Sequence, residues 1–481
     1  MKLLLLWPVP DPAIEVLFAE FKRAGHEIVY WVGERPVVKL CPPGAVFHDH
    51  YDAWDATPAE KFADMPCLPI PKDVIESLFE VESLALTMMN KRYDAAPVDE
   101  RKHIYYGMLS YWSAVLERCK PDAIVFSMLP HSVYNYILYE LARRRGISTI
   151  LFDDAWFVGR LIMYRDIWSG SAPLTAALGR HLKSGIQPSD LGEEFRAYYA
   201  RQSDGALRTP SYMQEQKSIA AGTGLAKHRI GVAVRTLRNG TFIRYFIAFC
   251  RRMFRKNLKD EYARVVRTAD FSKRFVYFPL SFQPERTTSP QGGVYHDQIL
   301  VAETVAAALP QGWELYVKEH PSQWWRRSKE RYSSARYRGY YERLARIPNA
   351  RLVPVDTDNR ALLERSQAIA TVTGTAGWEG LLRSKPALVF GFVWYCDCPG
   401  VIRIRSLEEC KIALQKIASG EHTVKQGGVI AFLKALEDTS VRAYAEDHTS
   451  DPSVPHIPME ESMRALGEAI CAELRRPNFT A

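Results

Sequence analysis

Gln283, Glu285, Lys318 and His320 share one property: each stands just past the end of an apolar, β-branched or aromatic run. Phe275–Leu280 precedes the first two and Trp313–Val317 the second two. Between them a helical pattern carries Ile299, Leu300, Val305 and Leu309 on one side. Strand, loop, helix, strand is the βαβ unit of a parallel sheet. In open sheets of that kind ligands bind beyond the carboxyl ends of the strands. An imidazole and an ammonium at such an end can donate hydrogen bonds to a phosphate ester, and Pro321 holds His320 extended, which helps aim its ring.

Two further stretches have the residue types for chemistry. Thr373-Gly374-Thr375-Ala376-Gly377 joins the apolar run Ala368–Val372 to a helical pattern that reaches Arg383. Backbone N–H groups at a helix start attract anions, hydroxyls add donors and glycine allows close approach, so a nucleotide phosphate fits there. A threonine-capped tight turn is the alternative. Glu379, in the first turn, either accepts from ribose hydroxyls or complements the helix dipole. Asp153 and Asp154 follow the run Ile147–Phe152. A carboxylate at a strand end can take a proton from an incoming hydroxyl. A helix N-cap or surface turn explains the pair equally well. His131 starts a helical pattern just after the strand-like Asp122–Ser127 and joins Gln283 as an expected substrate contact.

The elements that must position these groups divide the chain. With 481 residues, 47% hydrophobic and 25% charged, it is a globular protein of two domains. Residues 1–33 read strand, helix, strand, but their first loop is Pro-Val-Pro-Asp-Pro rather than a glycine-rich phosphate loop. The apolar start MKLLLLWPVPDP reads as a first strand, not a leader. A helical region covers Val74–Lys120. A basic, aromatic helix is expected over Trp324–Arg346. The tail from Ser406 alternates helices and polar loops. No apolar run approaches the roughly 18 residues of a membrane span.

Metal binding is not expected. Cys396 and Cys398 lack a second cysteine pair. His48-Asp49-His50 reads as a polar loop, and Asp356-Thr357-Asp358 as a turn between elements. The eight scattered cysteines suggest a reducing cytoplasm rather than a disulfide framework. The net charge of +8 is concentrated: from Leu225 to Lys259 there are ten Lys or Arg and no Asp or Glu, interleaved with bulky apolar residues. This suits an amphipathic helix on anionic lipid better than nucleic acid, for which no motif is present. A solvated basic helix packed on its own protein is the other reading.

The runs Pro279-Leu280…Gln283-Pro284-Glu285, Lys318-Glu319-His320-Pro321 and Thr373-Gly374-Thr375-Ala376-Gly377-Trp378-Glu379-Gly380-Leu381-Leu382 together resemble the bacterial capsule polysaccharide biosynthesis family, which includes the capsular Kdo transferases. Asp153-Asp154-Ala155-Trp156 resembles the family's acidic motif, with Ala155 in place of its glycine. The resemblance covers about residues 275–400 and, more weakly, 120–165.

It implies an α/β fold of the GT-B type, two Rossmann-like domains facing across a cleft. It also implies a transferase that takes an acidic sugar, Kdo, from a CMP-activated donor without a metal or other cofactor. Asp154 would be the catalytic carboxylate, with Asp153 and Glu285 beside it. His320, Lys318, Thr373, Gly374, Thr375 and Glu379 would hold the nucleotide. The expected domains are an acceptor domain over 1–164, a helical linker with the basic segment over 165–272, a nucleotide domain over 273–420, and helices over 421–481 that cross back. The acceptor would be lipid-linked or an oligosaccharide, reached from the cytoplasmic face of the inner membrane. A CDP-alcohol-dependent polyol-phosphate transferase and a non-catalytic assembly protein are the rival functions.

Overall fold

The computed structural model describes residues 1–155, 159–203, 257–285, 288–325, 332–446 and 456–476. The basic segment 225–259 lies outside the described residues except for its last three.

The first strand, β1 (Lys2–Leu6), shows why the chain opens with a run of leucines. Leu3 and Leu5 enter one apolar cluster and Leu4 and Leu6 another. A strand covered on both faces reads as a continuous apolar run. On one side lie the helices Ile14–Arg23 and Met459–Leu474; on the other lie Val98–Cys119 and Val133–Arg144. Then come β2 (Glu27–Gly33), β3 (Val46–Asp49), β4 (Ala123–Phe126), β5 (Ser148–Asp154) and β6 (Arg160–Tyr164). Strands β3-β2-β1-β4-β5 are parallel neighbours in that order, a doubly wound arrangement that reverses between β1 and β4. Antiparallel β6 extends the sheet beyond β5.

The second sheet contains β7 (Arg274–Pro279), β8 (Trp313–Lys318), β9 (Ala350–Leu352), β10 (Ala368–Thr371), β11 (Ala387–Val389) and β12 (Val401–Arg403). Its order, β9-β8-β7-β10-β11-β12, is the parallel dinucleotide-fold order, reversing between β7 and β10. Alternation along β7 again divides two cores. Val276 and Phe278 meet the helices Gln298–Ala308 and Leu407–Ala418, while Phe275 and Tyr277 meet Leu362 and Leu363.

The chain then returns to the first domain. The helix Gln426–Thr439 packs on Ala172–Ser184, and β13 (Val441–Arg442) pairs antiparallel with β6. Met459–Leu474 lies on Ile14–Arg23, so close that a Cβ on Gly467 would stand 2.7 Å from Glu20 Cβ.

The expected helical region is built of several helices, and the expected helix is interrupted. Val74–Lys120 holds the end of Lys72–Glu76, then Phe79–Met88, a short 3₁₀ turn and, after Pro97, Val98–Cys119. Over Trp324–Arg346 residues 332–339 are not helical, and the helices among the described residues are Ser322–Trp325 and Tyr340–Ala345. The latter starts after Gly339, whose φ of +87° no continuing helix accommodates.

Glycine substitutions read these contacts with opposite signs. Gly467→Val should lower stability by about 1–3 kcal/mol through overpacking against Glu20. Gly179→Ala, on a helix with nothing within 4 Å of the added Cβ, should raise it by about 0.5–1 kcal/mol. Urea denaturation midpoints check both, and equal shifts for the two would contradict the packing described.

Candidate functional site

Pairing of Pro279 with Lys318 sets the ends of β7 and β8 side by side, so the loops that follow leave the sheet together. One ion pair ties those loops. Glu319 and Arg336 have fully buried side chains, with Arg336 Nε donating to Glu319 Oε2 at 2.9 Å. The Tyr341 hydroxyl and the His320 backbone N–H also donate to Glu319. The Arg336 guanidinium reaches Ser281 O at 3.0 Å and the Gln283 side-chain oxygen, and it lies 4.5 Å from the Tyr340 ring centre. Burial, the largest single influence, opposes its charge, but Glu319 together with Tyr340 and Tyr341 outweighs it and holds the guanidinium above its ordinary pKa.

These bonds fix the strand-end residues singled out in the sequence. Gln283 is buried: its amide oxygen accepts from Arg336 and its NH₂ donates to His296 O at 2.8 Å. It is a support of the loop that presents Glu285. His320 is half-buried, and its Nδ1 accepts from Ser322 N–H at 3.2 Å. The neutral ring then carries its proton on Nε2, a donor suited to a phosphate oxygen. Lys318 departs from expectation. It is 3% exposed, and its ammonium donates to Thr357 O and, at 2.6 Å, to Asn359 Oδ1. It anchors the loop after β9, because a buried ammonium takes the nearest acceptors. Burial pushes it down to about 8.

The turn after β10 is partly closed on itself. Gly374 N–H donates to Thr371 Oγ1 at 2.8 Å, Tyr395 OH donates to Gly374 O, and Thr375 Oγ1 lies 3.4 Å from Glu379 Oε1. Thr373 is buried. Glu379 is half-buried, and burial raises its carboxyl pKa, with Arg383 and the Thr375 hydroxyl offsetting part of the rise. The ends of β8, β7 and β10 share the sheet's carboxyl edge, which brings His320, Glu285 and Thr373 to one side of the domain.

The first domain answers with β5. Asp153 pairs with Ile162 and Asp154 with Leu161, so the two side chains take opposite faces. Asp153 is buried, 6% exposed, whereas Asp154 lines a cavity of about 320 Å³. The adjacent carboxylates are therefore not equivalent, and only Asp154 faces open space. His131 and Glu285 line the same cavity. Lys91 crosses between the domains there: its ammonium is 3.2 Å from Glu285 Oε1 and 3.5 Å from His131 O. Lys91, Arg336 and Glu319 were not singled out by sequence pattern. The βαβ pattern covers strand ends, and Lys91 and Arg336 lie on connecting segments.

The other polar motifs are structural. His48 is held between Tyr30 OH and Thr57 O, and burial lowers its pKa to about 4. Asp49 caps the helix His50–Trp54, and Asp358 caps Asn359–Arg365. Among the described residues no group of three metal-ligating side chains converges, and no helix is long and apolar enough to cross a membrane.

Residues 242–421 match the family described as Capsule polysaccharide biosynthesis protein. This is the family that the strand-end motifs resemble. No curated protein matches the chain. Among solved structures it is similar to the UDP-GlcNAc 2-epimerase from Neisseria meningitidis, at 10% identity over 98% of this chain and 99% of that one, with a TM-score of 0.28. It is also similar to the spinosyn rhamnosyltransferase SpnG, at 13% identity over 98% and 99%, with a TM-score of 0.25. Scores of this size carry no argument. The two strand orders and the cavity at which the carboxyl ends of β5 and β7 meet make up two Rossmann-like domains across a cleft, the GT-B architecture.

Breaking the buried pair tests the hub. Glu319→Gln strands a buried guanidinium and should cost about 3–5 kcal/mol, whereas adding Arg336→Met in the same chain should recover part of that loss. Urea denaturation of the single and double variants measures the coupling, and simple additivity would contradict it.

Lys318 makes a second test. Its folded pKa, about 8, lies below its ordinary 10.5. Above 10.5 both folded and unfolded chains hold a neutral amine. Below 8 both are charged, and the folded chain bears the full desolvation cost. Stability from this group therefore falls as pH drops from 10.5 through 8, by on the order of 3 kcal/mol. Lys318→Met should flatten that slope in pH-dependent denaturation, and an unchanged slope would assign it to other groups.

Proposed function

We propose that this capsule-family protein is a glycosyltransferase that moves an acidic sugar, Kdo, from its CMP-activated form to a surface-glycan acceptor. The observation that carries the reading is the shared cavity: Asp154 from the first domain and Glu285 from the second line one space, with His131 beside them. The family match supports a role in capsule polysaccharide synthesis.

In this reading Asp154 accepts the proton of the acceptor hydroxyl as its oxygen attacks the sugar's anomeric carbon. The bond from that carbon to the phosphate oxygen of CMP breaks, and its electron pair leaves with CMP as a phosphate monoester. His320 Nε2–H and the hydroxyls of Thr373 and Thr375 donate to that phosphate, and Glu379 receives the nucleotide's hydroxyls. Charge-assisted donors of this kind stabilise the leaving group where water is excluded. Lys91 holds Glu285 by the ion pair described and keeps the domains in register. The basic segment 225–259 would hold the enzyme at the cytoplasmic face of the inner membrane, near a lipid-linked acceptor.

Asp154→Ala should lower transfer from CMP-Kdo by about 100- to 10,000-fold while CMP binding, followed by calorimetric titration, stays unchanged. Release of CMP together with Kdo-modified acceptor is the readout, with a CDP-alcohol as the competing donor. Turnover that survives the substitution would remove Asp154 as the base, and turnover only with the CDP-alcohol would replace the donor class.

A further inference from the structure

The first sheet has a second opening at its reversal point. Between the carboxyl ends of β1 and β4 lies a cavity of about 380 Å³, within the range of about 300–1,000 Å³ typical of small-molecule sites. Asp11 enters from the loop after β1, Glu34 from the end of β2, His50 from the end of β3, Asn135 from the helix after β4, and Glu446 from the returning tail. Met128, His131 and Glu446 line both this cavity and the one that holds Asp154, so the two are contiguous.

The polar groups of the lining ask for donors. Three carboxylates face the space, and among the described residues no lysine or arginine lines it. Glu34 has its carboxyl pKa raised by burial and by the neighbouring Asp49 and Glu446. A carboxylate only accepts hydrogen bonds. Asn135 adds independent weight. It is 5% exposed, and its side-chain oxygen is buried with no hydrogen-bond partner. An orphaned buried acceptor keeps its desolvation cost until a donor arrives, and this one belongs to a residue that lines the cavity. His50, held at 2.6 Å by Tyr134 OH, adds a ring that burial keeps neutral at neutral pH.

We infer that this cavity is a subsite for an uncharged, hydroxyl-rich sugar residue of the acceptor, and that it disfavours residues bearing a carboxylate or phosphate. Hydroxyl donors satisfy Asn135 and the carboxylates together, whereas an anion meets three like charges with no cation to offset them. The inference rests on the transferase reading in taking the neighbouring Asp154 cavity as the place where the acceptor reacts. It adds that the donor sugar is acidic and the residue next to the attacking end is not.

The test uses the full chain without any nucleotide. Saturation-transfer NMR would follow methyl glycosides of glucose, galactose and N-acetylglucosamine against methyl glucuronide and methyl galacturonide, at millimolar concentration. At least one neutral glycoside should bind about tenfold or more tighter than the uronides. Asn135→Leu should weaken that neutral binding, and Glu34→Gln, a half-buried site, should narrow the gap to the uronides. Thermal unfolding shows whether each variant is folded. Uronides that bind as well as neutral glycosides, or no binding by either class, would overturn the proposal. Because no donor is present, neutral binding by a protein that fails to transfer from CMP-Kdo would sink the transferase reading and leave the subsite standing.

Discussion

The buried contact between Glu319 and Arg336 is the constraint on which the second domain's working edge depends. Two charges with no solvent exposure are costly to desolvate, and attraction alone rarely compensates for it. Here every face of the pair is bonded. The carboxylate takes Arg336, Tyr341 OH and the His320 backbone, and the guanidinium takes Glu319, Ser281 O and Gln283. Arginine's planar fork allows one cation to address three acceptors in different directions, which lysine's point charge does not. As a result, the ends of β7 and β8 cannot move independently. Glu285 and His320, on the loops that follow these ends, inherit part of their positioning from that pair.

That dependence explains which parts of the molecule were legible in the sequence. Alternation and apolar runs located the parallel strands, because a doubly covered strand such as Leu3–Leu6 or Phe275–Phe278 has no other pattern open to it. The helix Asn359–Arg365 and the crossover Gln298–Ala308 followed from their periodicity. Arg336 was hidden, because it lies in a segment with no period, where helical composition suggested one continuous helix. Its burial goes with its pairing to Glu319, seventeen residues away. Period-two alternation separates Asp153 from Asp154 only once the strand is known to continue to residue 154 and pair with β6. Lys318 misled for a related reason: a strand end points to the cleft on average, but the ammonium took Thr357 and Asn359. Sequence gives the edge on which chemistry can sit, and tertiary contacts choose which edge residues face it.

The two edges also differ in hydrogen-bonding character, and under the proposed function this would let one protein handle both an anionic donor and its acceptor. On the second domain the candidate donor-facing groups are an imidazole N–H, threonine hydroxyls and a helix start. On the first, the cavity between β1 and β4 has carboxylates and an unsatisfied amide oxygen. A phosphate placed in the second environment would meet repulsion that no neighbouring cation relieves, at a separation short enough that screening by salt is weak. A neutral sugar placed against the first would forgo the charge-assisted bonds that a phosphate makes there. In the proposed reading each ligand would be steered to its own side by what the other side lacks, without a moving part. The Lys91–Glu285 pair sits where the two fields meet. In the proposed reading it neutralises a carboxylate that would otherwise face an incoming anionic sugar. Among the described residues, Asp154 and Glu446 are the remaining carboxylates at the meeting point, where the proposed reaction would take a proton.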